Sequence, residues 1–184
     1  MESRFTEQPT LERPKHFDSK PSVPDSKGIK VVKSCTINRQ AEELYQFWRR
    51  FENLPRFMKH LISVTQTSER DSHWVAQIGR KKAEWDSVII NEHPNELIAW
   101  RTREGSDIAH AGSVRFAPAP GDRGTEVKIA FEYEPPTGKA IAFLSKLFGK
   151  EPGQIIEKDL MCFKAIMETG EIPTTEGQST CREE

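Results

Sequence analysis

Thr125-Glu126-Val127-Lys128-Ile129-Ala130-Phe131-Glu132-Tyr133-Glu134-Pro135-Pro136 alternates apolar and polar residues and then stops on two prolines. Val127, Ile129, Phe131 and Tyr133 share one face of a strand and Lys128, Ala130 and Glu132 the other, so one face is buried and the other wet. After Pro135-Pro136-Thr137-Gly138 the apolar period changes from two to that of a helix. Ala140, Ile141, Phe143, Leu144, Leu147 and Phe148 form one stripe, and Ile156, Leu160, Phe163 and Met167 form another that Gly170 caps. Gly149 and Pro152-Gly153 between them predict a kink or a break.

Working back from this stretch, strands are expected at Ile62–Thr67, His73–Ile78, Ala83–Asn91, Leu97–Thr102, Ile108–Ala117 and Thr125–Tyr133, with short turn-rich links that dictate antiparallel neighbours. Lys30 to Ile37 is β-branched and alternating, which makes a seventh strand at the front. Asn38 is the expected N-cap of a helix carrying Leu44, Phe47, Trp48 and Phe51 on one face, with Glu42 and Glu43 near its start. Asn53 suits the end of that helix, and 54–58 restarts as a short second one with Pro55 in its first turn. A curved sheet with one apolar face cannot close on itself, so the terminal helix serves as its cover, and the space between is the natural place for a ligand.

The chain has 184 residues, enough for one domain with its own core. Residues 1–28 hold Pro9, Pro14, Pro21 and Pro24 among mixed charges and read as a flexible tail, and 174–184 as a second; the domain is expected over 29–173. Lys plus Arg number 27 against 28 Asp plus Glu, a balance that argues against nucleic acid as a partner. Cys35, Cys162 and Cys181 are an odd number without metal-ligand spacing, which favours reduced thiols and a cytoplasmic location. The sequence shows no secretory h-region and no apolar run near the ~20 residues that span a bilayer.

The same residues carry a resemblance. Phe51-Glu52-Asn53-Leu54-Pro55-Arg56-Phe57-Met58, Glu84-Trp85-Asp86, Ile98-Ala99-Trp100-Arg101, Gly112-Ser113-Val114-Arg115-Phe116, Gly124-Thr125-Glu126-Val127, Tyr133-Glu134-Pro135-Pro136 and Lys164 to Pro173 resemble the START-like, or SRPBCC, superfamily in its polyketide cyclase/dehydrase and coenzyme-Q-binding branch. The likeness covers roughly 29–178. It implies the α+β helix-grip fold, also that of the birch-pollen allergens: a curved seven-stranded antiparallel sheet wrapped on a long C-terminal helix, with two short helices after the first strand. It implies a container for lipids, quinones or polyketide-like molecules, or else a cyclase.

On that frame the expected ligand-lining residues are Trp48, Phe57, Trp85, Trp100, Val114, Phe116, Phe131, Tyr133, Leu160 and Phe163. Large aromatics serve core packing as readily as stacking on a flat ligand. Trp100 and Arg101 are sequence neighbours in a strand and should face opposite ways. Glu84, Asp86, Arg101, Asp107, His110, Arg115 and Tyr133 are the polar groups that could act as acid or base or polarise a ketone, although each alone reads as solvated surface. No catalytic residue stands out. His60, His73, His93 and His110 lack the close spacing of a zinc site, so neither metal nor cofactor is expected. Glycines 105, 112, 121 and 124 do not join a strand to a helix N-terminus and make no phosphate loop.

Three readings follow. The first is a non-enzymatic protein that holds a small hydrophobic molecule. The second is a polyketide cyclase or dehydratase, which requires at least two of Arg101, His110, Arg115 and Tyr133 inside the cavity. The third is a regulatory interaction module working through its tails or a sheet edge, with no protein partner named. The Ala140 to Phe148 stripe, beside Lys139, Lys146 and Lys150, also fits transient contact with a membrane surface, although docking on the sheet explains it as well.

Overall fold

In a computed structural model the described residues are 29–133, apart from 79 and 107, and 152–171. The expected tails, the Pro135-Pro136 switch, the stripe at 140–148 and the candidate Asp107 lie outside them. Along the chain come β1 (Ile29–Ile37), α1 (Ala41–Arg49), a 3₁₀ helix (Phe51–Arg56), β2 (Leu61–Gln66), β3 (Asp71–Ile78), β4 (Lys81–His93), β5 (Leu97–Thr102), β6 (His110–Pro118), β7 (Thr125–Tyr133) and α2 (Pro152–Thr169). The strands form one antiparallel sheet in the order β1-β7-β6-β5-β4-β3-β2. This is the α+β helix-grip arrangement expected from the alternation of the strands and the helical stripe that follows them.

Six of the seven strands are a plain meander, because each link is short. The exception is β1, which pairs with β7 over its whole length, from Ile29 opposite Tyr133 to Ile37 opposite Thr125. Bulges interrupt the register near Ile62 in β2 and Ile90 in β4, and such extra residues bend a strand and add twist. Helix α2 lies along β1. Lys33 Nζ donates to Glu157 at 2.7 Å, Lys164 Nζ to the Thr36 carbonyl at 2.5 Å, and Arg39 Nη2 to the Glu168 carbonyl at 2.9 Å. The helix ends at Gly170, whose φ of 79° lets its N–H reach the Ile166 carbonyl at 2.8 Å, as a left-handed glycine cap does.

Two local expectations are corrected. Helix α1 starts at Ala41 with Gln40 before it and no side-chain cap, rather than after Asn38. The Asn38 N–H donates to the Glu168 carboxylate of α2 at 2.8 Å, which ties the turn before α1 to the distant helix. The short second helix is the 3₁₀ turn Phe51–Arg56, with Pro55 inside it. Asn53 falls within that turn and still serves the end of α1, its Nδ2 donating to the Phe47 carbonyl at 2.9 Å.

The core is densest where α1, the 3₁₀ helix and the C-terminal half of α2 meet the sheet. Trp48, Phe57, Val114, Val127, Leu160 and Phe163 are fully buried there. The Phe163 ring lies 5.0 Å from both Phe57 and Trp48 and 5.7 Å from Phe47, within the range where tilted and edge-on aromatic pairs attract. The β6–β7 loop crosses the turn after β1 so closely that a Cβ at Gly124 would sit 2.3 Å from the Ile37 carbonyl oxygen. With φ at 92° this position requires glycine on both counts.

Candidate functional site

Toward the other end of α2 the packing opens. Between the concave face of the sheet and the N-terminal half of the helix lies a cavity in which the centres of water-sized molecules can range over about 70 Å³, well above the ~10–15 Å³ that one water needs. Its wall is Trp48 from α1, Met58 and His60 from the link into β2, Leu61 of β2, Trp74 of β3, Trp85 of β4, Trp100 of β5, Ile108 from the link into β6, His110 of β6, Ile129 and Phe131 of β7, and Ile155, Ile156 and Asp159 of α2. All four tryptophans of the chain are in this wall.

The sheet builds the indole side by strand alternation. Trp74 and Trp85 are cross-strand partners, and their rings stack at 6.0 Å with planes 21° apart; Trp74 and Trp100 stack at 6.3 Å and 18°. Phe51 supports this group from behind, 5.5 Å from Trp74 and 5.9 Å from Trp100. Trp100 lies over the backbone of its partner Gly112 in β6, where an ideal Cβ would come within 2.5 Å of Trp100 Cζ2. Only glycine leaves room for that ring, so Gly112 sets where the indole wall stands. Arg101 points away and is exposed, as strand alternation requires.

Three titratable groups interrupt the apolar wall. His60 Nδ1 and Asp159 Oδ2 are 3.7 Å apart, too far for a hydrogen bond. Burial pushes the Asp159 carboxyl up to about 7 and the His60 imidazole down to about 4, because a charge removed from water is disfavoured in both. The pair is therefore neutral over most of the range below pH 7, with the proton on the acid. His110 is pushed down to about 3 by the same cause. Its ring meets Trp85 edge-on at 5.4 Å and tilts against Phe131 at 5.1 Å, and its Nδ1 has no hydrogen-bond partner among the described residues. The Trp48, Trp85 and Trp100 indole N–H groups are likewise buried without a partner there, whereas Trp74 donates to Ser72 Oγ at 2.8 Å.

Of the residues expected at the ligand, Trp48, Trp85, Trp100 and Phe131 line the cavity. Phe57, Val114, Phe116, Tyr133, Leu160 and Phe163 are buried in the core outside its wall. Of the polar candidates only His110 lines it. Arg101 is exposed, Arg115 alternates away from Val114 and Phe116, and Tyr133 is buried beyond the wall. Glu84 and Asp86 are exposed and flank His73, with His73 Nδ1 2.9 Å from Asp86 Oδ1 and Nε2 3.8 Å from Glu84 Oε2. Asp159 is the wall residue that sequence reasoning missed. The signal was there: it stands three residues after Ile156 and four before Phe163, so a carboxylate sits on the apolar stripe of α2. No group of His, Cys, Asp and Glu among the described residues is arranged to hold a metal ion.

The fold agrees with what known proteins show. Residues 37–157 match the family model described as polyketide cyclase / dehydrase and lipid transport. The chain belongs to that family. A crystal structure from Deinococcus radiodurans is 34% identical with a TM-score of 0.64, over 78% of this chain and 100% of that one. An uncharacterised 17.2 kDa protein of Streptomyces lincolnensis is 29% identical over 58% of this chain and 69% of its own length. The Zhui aromatase/cyclase of a Streptomyces species shares the fold at 11% identity, TM-score 0.60, over 79% of this chain and 99% of that one. A START superfamily protein of Mycobacterium smegmatis does so at 16%, TM-score 0.56, over 71% and 93%. These structures share the fold of a curved sheet with a C-terminal helix. Among the described residues no helix is long and apolar enough to cross a membrane.

Proposed function

We propose that this chain holds a small hydrophobic molecule, a lipid, quinone or polyketide-like ring compound, in the cavity between its sheet and α2. The observation that carries the reading is the unfilled space walled by four indoles and Phe131, since protein interiors otherwise close to the density of organic crystals. The family's description, which includes lipid transport, supports it. The free thiols Cys35 and Cys162 support a cytoplasmic setting. Because every tryptophan lines the cavity, titration with naphthalene and medium-chain fatty acids followed by tryptophan emission is a direct test. Saturable quenching or a blue shift is expected, weakened in Ile155→Phe, which fills the space from the helix side. No emission change with any compound, together with no bound species in native mass spectrometry, would overturn the reading.

The cyclase or dehydratase reading does not find the two groups expected of it, since of Arg101, His110, Arg115 and Tyr133 only His110 lines the cavity; one other observation favours it, the acid–imidazole pair Asp159 and His60 in the wall. A carboxyl that titrates near neutrality is suited to general acid–base work, as a cyclase or dehydratase needs. It predicts that Asp159→Asn keeps ligand binding and loses turnover of a β-hydroxyketone. Turnover that is absent from the natural chain, or unchanged in the variant, removes it.

A further inference from the structure

The cavity's charge is one-sided. Of its lining residues only Asp159 carries a formal charge when ionised near neutral pH, and its side chain is 11% exposed. A carboxylate in such surroundings is ordinarily paired. Its nearest partner, the His60 imidazole at 3.7 Å, makes no hydrogen bond with it. Of the lysines on β1 and α2, Lys30 pairs with Glu132 and Lys158 is exposed, while the other two are engaged along the seam between those elements. Lys33 is taken by Glu157, and Lys164 by the Thr36 carbonyl and Glu168. The rest of the wall is aromatic to an unusual degree, with the indoles of Trp74, Trp85 and Trp100 in near-parallel stacks. Indole is the side chain whose face attracts cations best. A buried carboxylate among indoles, without a hydrogen-bond partner among the described residues, is complementary to a positive charge with an apolar coat.

We propose that the molecule held in this cavity is a hydrophobic amine or quaternary ammonium compound, its positive nitrogen set against Asp159 and its apolar body against Trp74, Trp85 and Trp100. This rests on the ligand-binding reading above and narrows it. The cation supplies the partner that Asp159 lacks and makes its ionised form the stable one. A neutral guest that accepts a hydrogen bond would instead hold Asp159 protonated. The two therefore respond oppositely to pH. The titratable groups facing Asp159 are His60, from the link before β2, and His110, from β6; α1, β3, β4, β5 and β7 contribute none to the wall. Both imidazoles are pushed well below neutrality by burial, and Asp159 is pushed up to about 7. Between pH 6 and 8 the change in the wall is that of Asp159.

The test uses two probes of one shape, phenyltrimethylammonium and tert-butylbenzene, with the full chain and tryptophan emission as the readout. At pH 8 the cation is expected to bind about tenfold more tightly than its neutral isostere, and the preference to shrink at pH 6. Asp159→Asn is expected to lose the preference at pH 8 while still binding tert-butylbenzene. If tert-butylbenzene binds as well as the cation at pH 8, the charge assignment is overturned and the ligand cavity stands. If neither probe moves the emission, the ligand cavity falls and takes this proposal with it. Should Asp159→Asn not fold, the pH series on the natural chain decides alone: a preference that grows toward pH 6 overturns the proposal.

Discussion

One helix faces two interiors. The C-terminal half of α2 puts Leu160, Phe163, Ile166 and Met167 into a filled core, while the N-terminal half puts Ile155, Ile156 and Asp159 against empty space. The sheet beneath them is continuous, and its concave face is apolar at both ends. What differs is the content. The filled end closes on Phe57, Trp48 and Phe163 with ring centroids about 5 Å apart, and the ionisable groups packed into it among the described residues are the Tyr45 hydroxyl and the Cys35 thiol, which burial keeps neutral. The hollow end has larger side chains in its wall and nonetheless leaves a void, and it holds His60, His110 and Asp159. Stability explains the first arrangement. It does not explain the second, because burial disfavours the charged form of all three groups and a packed apolar residue would be more stable in their place.

Substitutions that exchange the character of the two ends test this contrast. The largest effect is expected for Phe163→Ala, which removes the ring on which the filled end closes and should cost about 3–5 kcal/mol in chemical denaturation. A loss below 1 kcal/mol would mean that the two ends are not packed differently. At the hollow end the sign reverses. Asp159→Leu should stabilise the chain by about 1–4 kcal/mol at pH 8, measured in the same way, and a destabilised variant would show the carboxylate to be structural. Gly112→Ala lies between, since the added methyl must push Trp100 out of its place; the expected cost is about 1–3 kcal/mol with a shifted tryptophan emission. The smallest effect is the pH response. Between pH 6.5 and 5 the unfolded chain takes up a proton at each of His60 and His110, whose folded values lie near 4 and 3, and it lacks the proton that folded Asp159 holds. The unfolded chain gains about one proton net, so stability should fall on acidification by roughly 1.4 kcal/mol per pH unit. In Asp159→Leu the opposing proton is gone and the fall should be about twice as steep.

Hydrophobic period made the architecture legible. Alternation in β7 and β6 told which face of the sheet turns inward, and the stripe Ile156, Leu160, Phe163, Met167 told the same of α2. Period says that a residue faces inward and not whether the space it faces is full. Phe57, Leu160 and Phe163 were therefore expected at the ligand and are found plugging the core. Whether a void remains depends on side chains from many elements and links meeting at one place, which no local pattern encodes. The Asn38 cap was misplaced because α1 starts two residues later than the pattern suggested, at Ala41, while the tie from the Asn38 N–H to Glu168 spans 130 residues that no local pattern covers. Asp159 was passed over as an ordinary helix polar residue, although its place on the apolar stripe marked it.

The partnership of β1 with β7 has a kinetic side. Strands β2 to β7 can assemble through hairpin links, but β1 must wait for a partner about ninety residues downstream, and α2 rests on β1. Long loop closure is slow and is rewarded only at the end. Strand β1 is thus joined late, and the compartment comes into being only after β7 and α2 have followed it. A nascent or truncated chain that stops before Thr125 would offer β1 no partner and would present its indoles to water.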